Sequence, residues 1–248
     1  MNDATEGQAV ELQENATREA GAWARVALIA ALPREVAALV KGVTPDAALR
    51  AQGVYRYELR HAVVVAAGMG AQRAVLAVEA ALAVEGIVGL VSTGLVGGCV
   101  PAMVPGSIVE PTLVVDARTG ERFRMDSPAQ QERVLVTTET IASVAEKARL
   151  AASYGAAIVD MEAATVARLA RAHGLPMRAI KAVSDAHDFE LAGLGQFTGR
   201  QGSFRTGAFA LHTALRPWTW TQAMTLGRNS NAALAALDRT LRELIGMG

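Results

Sequence analysis

Two short stretches set carboxylates at points where an apolar run stops. In "GAAIVDMEAATVARLA", residues 155–170, the run Ala156 to Val159 ends in Asp160, Met161 and Glu162. In "MRAIKAVSDAHD", residues 177–188, a second run ends in Ser184 and Asp185. A third acid, Glu35, follows "RVALIAAL" and Pro33 near the start of the chain. Singly, such an acid caps a helix or faces solvent at a turn. Three acids at the ends of three strands suit a reaction in which a substrate gains positive charge while one proton is delivered and another removed. Cleaving a ribosyl bond to a nucleobase has these requirements. The sugar acquires oxocarbenium character, the base departs protonated, and water or phosphate attacks the opposite face, as in glycoside hydrolysis.

The elements that must position these acids are legible in the apolar runs. Residues 25–32 read as a buried strand, and Pro33 suits the first turn of a helix over "REVAALVK". "VYRYELR" alternates like a half-exposed strand, and "AVVVAAGMG" is a buried one stopped by Gly68 and Gly70. "AQRAVLAVEAALAVEG" predicts a helix ending at Gly86. "IVGLVSTG", "SIVEPTLVVD" and "RVLVTT" read as strands, followed by the helix "SVAEKARLAASYG", strand 156–160, helix 162–173 and strand 177–183. After the Gly-rich stretch 193–207, a candidate lid, helical sequence runs to the end. This order predicts an α/β fold, a three-layer αβα sandwich around a mixed, mostly parallel sheet. Ligands of such sheets bind beyond the carboxyl ends of the strands. Glu35, Gly68, Gly94, Glu162 and Asp185 all fall there, which predicts that they share one rim.

The totals narrow the partner. The chain has 248 residues with 51% hydrophobic content, enough for one large domain, taken as residues 23–248 behind a flexible polar tail over 1–22. Its 24 basic and 24 acidic side chains balance, so nothing points to nucleic acid, and a small-molecule substrate is expected. The single cysteine, Cys99, excludes an intrachain disulfide and fits a cytoplasmic location. The four histidines are scattered without metal-ligand spacing, although His187 adjoins Asp185, and no metal is expected. Residues 86–109 carry no charge, but six glycines and prolines from Gly94 to Gly106 argue for strand, loop, strand rather than a membrane span. "GMGAQRA" lacks the third glycine of a dinucleotide fingerprint.

The chain resembles the nucleoside phosphorylase superfamily, and within it the methylthioadenosine/S-adenosylhomocysteine nucleosidases, over nearly all of residues 25–190. The resemblance rests on "ALIAALPREV", "AAGMGAQRA", "STGLVGG", "VDMEA" and "AVSDAHD". It implies cleavage of a 5′-substituted adenosine without a cofactor. Asp185 would protonate the purine at N7 with Ser184 beside it, Glu162 would hold the ribose hydroxyls, and Met161 would line the sugar. Glu35 would orient and deprotonate water. The acid needs a raised pKa, expected here from burial and from negative neighbours. A homodimer is implied, with an apolar patch on "AVLAVEAALAV" as its candidate surface.

Departures from the pattern matter. Asp160 stands where many relatives have Glu, Leu95 where the ribose loop has a small or hydroxylated residue, and Ile141 where an aromatic residue stacks on adenine. Phosphorylases of the superfamily place cations where this chain has Glu35 and Ser92, so hydrolysis is expected. Arg73, opening a helix after Gly68 and Gly70, keeps an anion or water site and phosphorolysis in view, as does Arg34. A nucleoside-binding protein without turnover is the other alternative. The second half is similar to hopanoid-associated nucleosidases or phosphorylases, taken to act on adenosylhopane. That implies apolar contacts for a bulky 5′ group at Leu95, Met103, Trp218 and Trp220, and peripheral membrane contact if the substrate is a lipid.

Overall fold

A computed structural model describes residues 25–190 and 220–247, with side chains from Met224 onward in the last segment. The tail 1–22, the 193–207 stretch and Trp218 lie outside these residues, as does the side chain of Trp220.

The buried apolar runs become the centre of a ten-stranded mixed sheet. Strand β1 (Val26–Ala30) lies between β3 (Ala62–Ala66) and β4 (Leu90–Gly98), parallel to both. On the side away from β1, β4 pairs in parallel with β10 (Met177–Asp185) from Leu90 to Gly97. Past its contact with β1, which ends at Ser92, β4 meets β9 (Ala156–Asp160) antiparallel at Gly97 and Gly98. From β9 the sheet continues through β8 (Val134–Thr137) to β6 (Leu113–Asp116) in parallel, with β7 (Arg122–Arg124) antiparallel at the far edge. The exposed-pattern strand β2 (Tyr55–Glu58) closes the other edge antiparallel to β3, and β5 (Ile108–Val109) pairs antiparallel with β10.

Helices cover both faces. On one, α3 (Ala71–Leu82) and α5 (Ala163–Ala172) pack alanines such as Ala77, Ala81, Ala164 and Ala167 against Val63, Val65 and Ile158. Small side chains let helix and sheet backbones approach closely. On the other, α6 (Trp220–Leu244) buries Ala233, Leu237 and Leu241 against Val91 and Ile180, beside the short α1 (Pro33–Val36). The loop helix α2 (Ala47–Ala51) is outside this core, and α4 (Val144–Tyr154) packs Leu150 over Val136 and Val159. The architecture is the α/β sandwich that the strand and helix order predicts.

Several boundaries differ from the expected ones. Strand β4 does not stop at Gly94 but runs on to Gly98, because Gly94 at φ 127° bends it without ending it. Helix α3 ends at Leu82, four residues before Gly86. "REVAALVK" yields only a four-residue helix followed by turns. Pro111 splits "SIVEPTLVVD" into β5 and β6, consistent with proline's missing N–H.

Candidate active site

Each candidate acid is placed by the start of a helix or the end of a strand. Glu35 is the third residue of α1 and folds back over the turn before it. One carboxylate oxygen accepts N–H bonds from Ala31 (3.0 Å) and Leu32 (2.8 Å), and the other accepts from Leu95 N–H at 3.0 Å. This is the backward reach of a capping box, extended across to β4. It is possible only because Gly94 has no side chain: a Cβ there would lie 3.0 Å from the Glu35 carboxyl atoms. Leu95 therefore serves the site through its backbone N–H while its side chain lines the cavity.

Asp160 ends β9 and caps α5, accepting from Ala163 N–H and from the Thr137 hydroxyl at 2.7 Å. Its second oxygen lies 2.9 Å from the Lys181 ammonium, with both side chains buried. Lys181 also reaches the Ser92 hydroxyl at 2.9 Å. Glu162, at the N-cap of α5, accepts the Gly70 N–H at 2.7 Å and the Met161 N–H at 3.3 Å. Burial first, then the charge of Asp160, pushes the Glu162 carboxyl up to about 8, against the pull of Lys181 and the Gly70 hydrogen bond. Near neutral pH this group retains a proton and offers both a donor and an acceptor.

Asp185 ends β10 and is 2% exposed. Its Oδ1 is 2.6 Å from the Ser184 hydroxyl, which also lies 3.2 Å from the Val96 carbonyl. Its Oδ2 is 2.5 Å from the ammonium of Lys147 on α4. Burial raises the Asp185 carboxyl above its ordinary range, while Lys147 and then the Ser184 hydrogen bond pull it down. The raised value thus comes from burial, as expected, but the charge facing the acid is positive where negative neighbours were expected.

These groups converge on one cavity of about 440 Å³. Glu35, Asp160, Met161, Glu162, Ser184, Asp185, Leu95 and Ile141 all line it, with Lys147, Thr93 and Met69. Helix α6 covers one side with Leu226, Ser230, Asn231 and Leu234, and Arg34 stands at the rim. Thr93 presents a buried hydroxyl with no partner among the described residues. Met103 is not in the lining; its backbone and Cβ sit behind Gly98.

The candidate anion or water site is spent on the protein itself. Gly68 N–H bonds the Ala31 carbonyl at 2.7 Å, and Gly70 N–H bonds Glu162. Arg73 donates to the carbonyls of Ala67 and Gly53. Gly70 and Arg73 border a second cavity of about 280 Å³, where Arg168 is paired with Asp116 and Glu121. Among the described residues no cluster of three His, Cys, Asp or Glu side chains is arranged to hold a metal ion, and no helix is long and apolar enough to cross a membrane. Burial lifts the Cys99 thiol to about 12, which disfavours its thiolate form.

Sequence reasoning missed both buried lysines. Lys181 left a signal, as a charge at the middle of an otherwise apolar run between Arg178 and Ser184. Lys147 left none, because a lysine in "SVAEKARLAASYG" reads as a solvated helix face.

Comparison with known proteins bears on this geometry. The family model described as the phosphorylase superfamily matches residues 25–134 and 124–200. No curated protein matches the chain significantly by sequence. Among solved structures, the fold is similar to that of 5′-methylthioadenosine nucleosidase from Arabidopsis thaliana, at 18% identity over 91% of this chain and 96% of that one, with a TM-score of 0.67. It is similar also to 5′-methylthioadenosine/S-adenosylhomocysteine nucleosidase from Neisseria meningitidis, at 18% identity, 90% and 98% coverage, and a TM-score of 0.65. Futalosine hydrolase of Helicobacter pylori aligns at 12% identity over 90% of this chain and 98% of that one, with a TM-score of 0.63.

Proposed function

Because this chain belongs to the phosphorylase superfamily, whose sequence pattern runs through residues 25–134 and 124–200, we propose that it hydrolyses the N-glycosidic bond of a nucleoside. The observation that carries the reading is the meeting of Glu35, Glu162 and Asp185, from three distant segments, around a single cavity. In this reading the sugar lies against Met161 with its hydroxyls on Glu162, whose retained proton lets one carboxyl both donate and accept. The base extends toward Ser184 and Asp185. As the C1′–N bond breaks, its electron pair goes to the base and the proton of Asp185 moves to a base nitrogen. Water attacks C1′ from the other side and loses its proton to Glu35, which three backbone N–H groups hold in one orientation. Until it takes that proton, the Glu35 carboxylate stabilises the positive charge that develops on the sugar.

The finer reading is a purine nucleosidase that releases adenine from a 5′-substituted adenosine, of the methylthioadenosine/S-adenosylhomocysteine type or the adenosylhopane type. Leu95, Leu226 and Leu234 supply the apolar wall that a 5′ substituent without charge would meet. We take residues 23–248 as one domain, a cytoplasmic location from the unpaired, buried Cys99, and a homodimer as the assembly. Helix α3 spends much of its apolar face on its own sheet, leaving Leu76 exposed as a contact for a partner copy.

One observation favours a second reading. Lys181 carries its ammonium to Ser92, so the position where phosphorylases of the superfamily place a cation is served from the neighbouring strand. Phosphorolysis is therefore the alternative. Incubating the protein with methylthioadenosine, adenosylhomocysteine, adenosine, inosine and an adenosylated lipid, with and without phosphate, separates the readings. Base release independent of phosphate supports hydrolysis, phosphate dependence moves the reading to phosphorolysis, and ligand binding without release marks a binding protein.

A further inference from the structure

The residue that the proposed reaction leaves unused is the cation behind its acid. Lys147 is 1% exposed, and each of its three N–H donors has an acceptor: Asp185 Oδ2 at 2.5 Å and the carbonyls of Ala186 and Phe189 at 2.9 and 3.1 Å. The two carbonyls belong to the turn that follows Asp185, so one ammonium fixes both the acid and the backbone leaving it. Space for the pair is made by Gly97 on β4, where a Cβ would fall 3.1 Å from both Asp185 Oδ2 and Lys147 Cε. Lysine within a helix normally extends to water. Here α4 begins at the Ser143 cap and turns Lys147 inward, over the end of β10.

We propose that Lys147 is a positioning residue for the acid: a fixed cation that holds the Asp185 carboxyl toward the base and receives the negative charge that Asp185 acquires when it gives up its proton. The inference rests on the reaction proposed above. In the reaction as proposed, Asp185 enters the step carrying its proton beside the Lys147 ammonium. After it, the proton is on the base, the C1′–N electron pair is on the base nitrogen, and the new carboxylate faces Lys147. The cation therefore interacts more strongly with the later state than with the earlier one, which is the condition for accelerating the step. A buried carboxyl without that cation would keep its proton more widely but give it up less readily. The other charged or titratable groups around the pair are Glu146 on α4, the Cys99 thiol just after β4, His187 and Asp188 in the following turn, and Glu190, which accepts the Val144 N–H at the start of α4. Asp160, Glu162 and Lys181 line or underlie the far side of the cavity.

The test compares Lys147→Met, Lys147→Gln and Lys147→Arg. The neutral variants are purified from the acid side, where a protonated Asp185 needs no counter-charge, and the glutamine keeps donors for the turn carbonyls. With a nucleoside that the wild-type protein cleaves, both neutral variants are expected to lose kcat on the order of 10²-fold, and the basic limb of their kcat/KM profile moves to higher pH by about one unit or more. Lys147→Arg keeps the limb where it is. Loss of turnover equally at every pH with the limb unmoved assigns Lys147 a structural role and overturns the proposal, as does wild-type turnover in either neutral variant. A second readout needs no substrate: the infrared carboxylic-acid band that Asp185→Asn removes is titrated in wild-type protein and in Lys147→Gln. An unchanged midpoint overturns the proposal even if no nucleoside is cleaved, whereas a raised midpoint with no base release from any nucleoside sustains the placement of the cation and defeats the proposed reaction instead.

Discussion

Lys181 and Asp160 form an ion pair beside the cavity that Glu35 and Glu162 line, 2.9 Å apart and 2% and 1% exposed. Each partner is further tied, Lys181 to the Ser92 hydroxyl and Asp160 to the Thr137 hydroxyl and the first N–H of α5. The pair therefore joins β4, β8, β9 and β10 at the point where the sheet changes from parallel to antiparallel pairing.

Removing one partner leaves an uncompensated charge in a closed site. Lys181→Met is expected to cost about 3–5 kcal/mol of folding stability, whereas replacing both residues with apolar ones of similar volume costs much less. Urea denaturation followed by circular dichroism measures both; a midpoint for Lys181→Met equal to that of the wild-type protein contradicts the assignment.

Gly94 is constrained twice, by its φ of 127° and by the Glu35 carboxyl against it. Because three backbone N–H groups pin that carboxylate, it cannot swing aside as a free side-chain tip would. Gly94→Ala is expected to destabilise by more than ~1 kcal/mol and to lower turnover on the order of 10-fold or more through displaced Glu35. Gly120→Ala is the control, since Gly120 has a positive φ of 75° but open space beside it. Equal effects on turnover in the two variants contradict the role given to Gly94.

Glu162 makes a prediction about pH. Its carboxyl is raised from an ordinary 4.5 to about 8, so between those values the folded protein holds a proton that the unfolded chain has released. The stabilisation from this group is complete below about 4.5 and is lost as pH rises through about 8. Glu162→Gln cannot titrate and should flatten that fall in stability, which denaturant midpoints from pH 4.5 to 8 would reveal. An identical slope in the variant contradicts the raised value.

The strands were legible because burial on both faces leaves uninterrupted apolar runs, as in "AVVVA" and "AAIVD", and the acids were legible because they end such runs. The antiparallel meeting of β4 with β9 was not, since nothing local in "LVGG" or "AIVD" specifies a partner sixty residues away. Nor was the reason for Gly97. In the sequence it reads as part of a flexible loop, and only the fold shows that a lysine and an aspartate close on the space it leaves. Lys147 illustrates the same limit: its helix buries only this lysine and Leu150, and a cation turned inward by tertiary packing has the spacing of one turned outward.

Glu35→Gln keeps an oxygen for backbone N–H groups but cannot take a proton from water. It is expected to lower kcat on the order of 10²–10⁴-fold with KM little changed. Steady-state kinetics decide it, and a rise in KM at constant kcat would show that Glu35 only binds.

The most direct measurement is release of free adenine from methylthioadenosine by the wild-type protein and by Asp185→Asn, each with and without phosphate. The substitution is nearly isosteric and removes only the titrating proton. The account predicts adenine and free sugar from the wild-type protein at a rate independent of phosphate, and a fall on the order of 10²–10⁴-fold in a variant that still folds. Undiminished release by Asp185→Asn would contradict it.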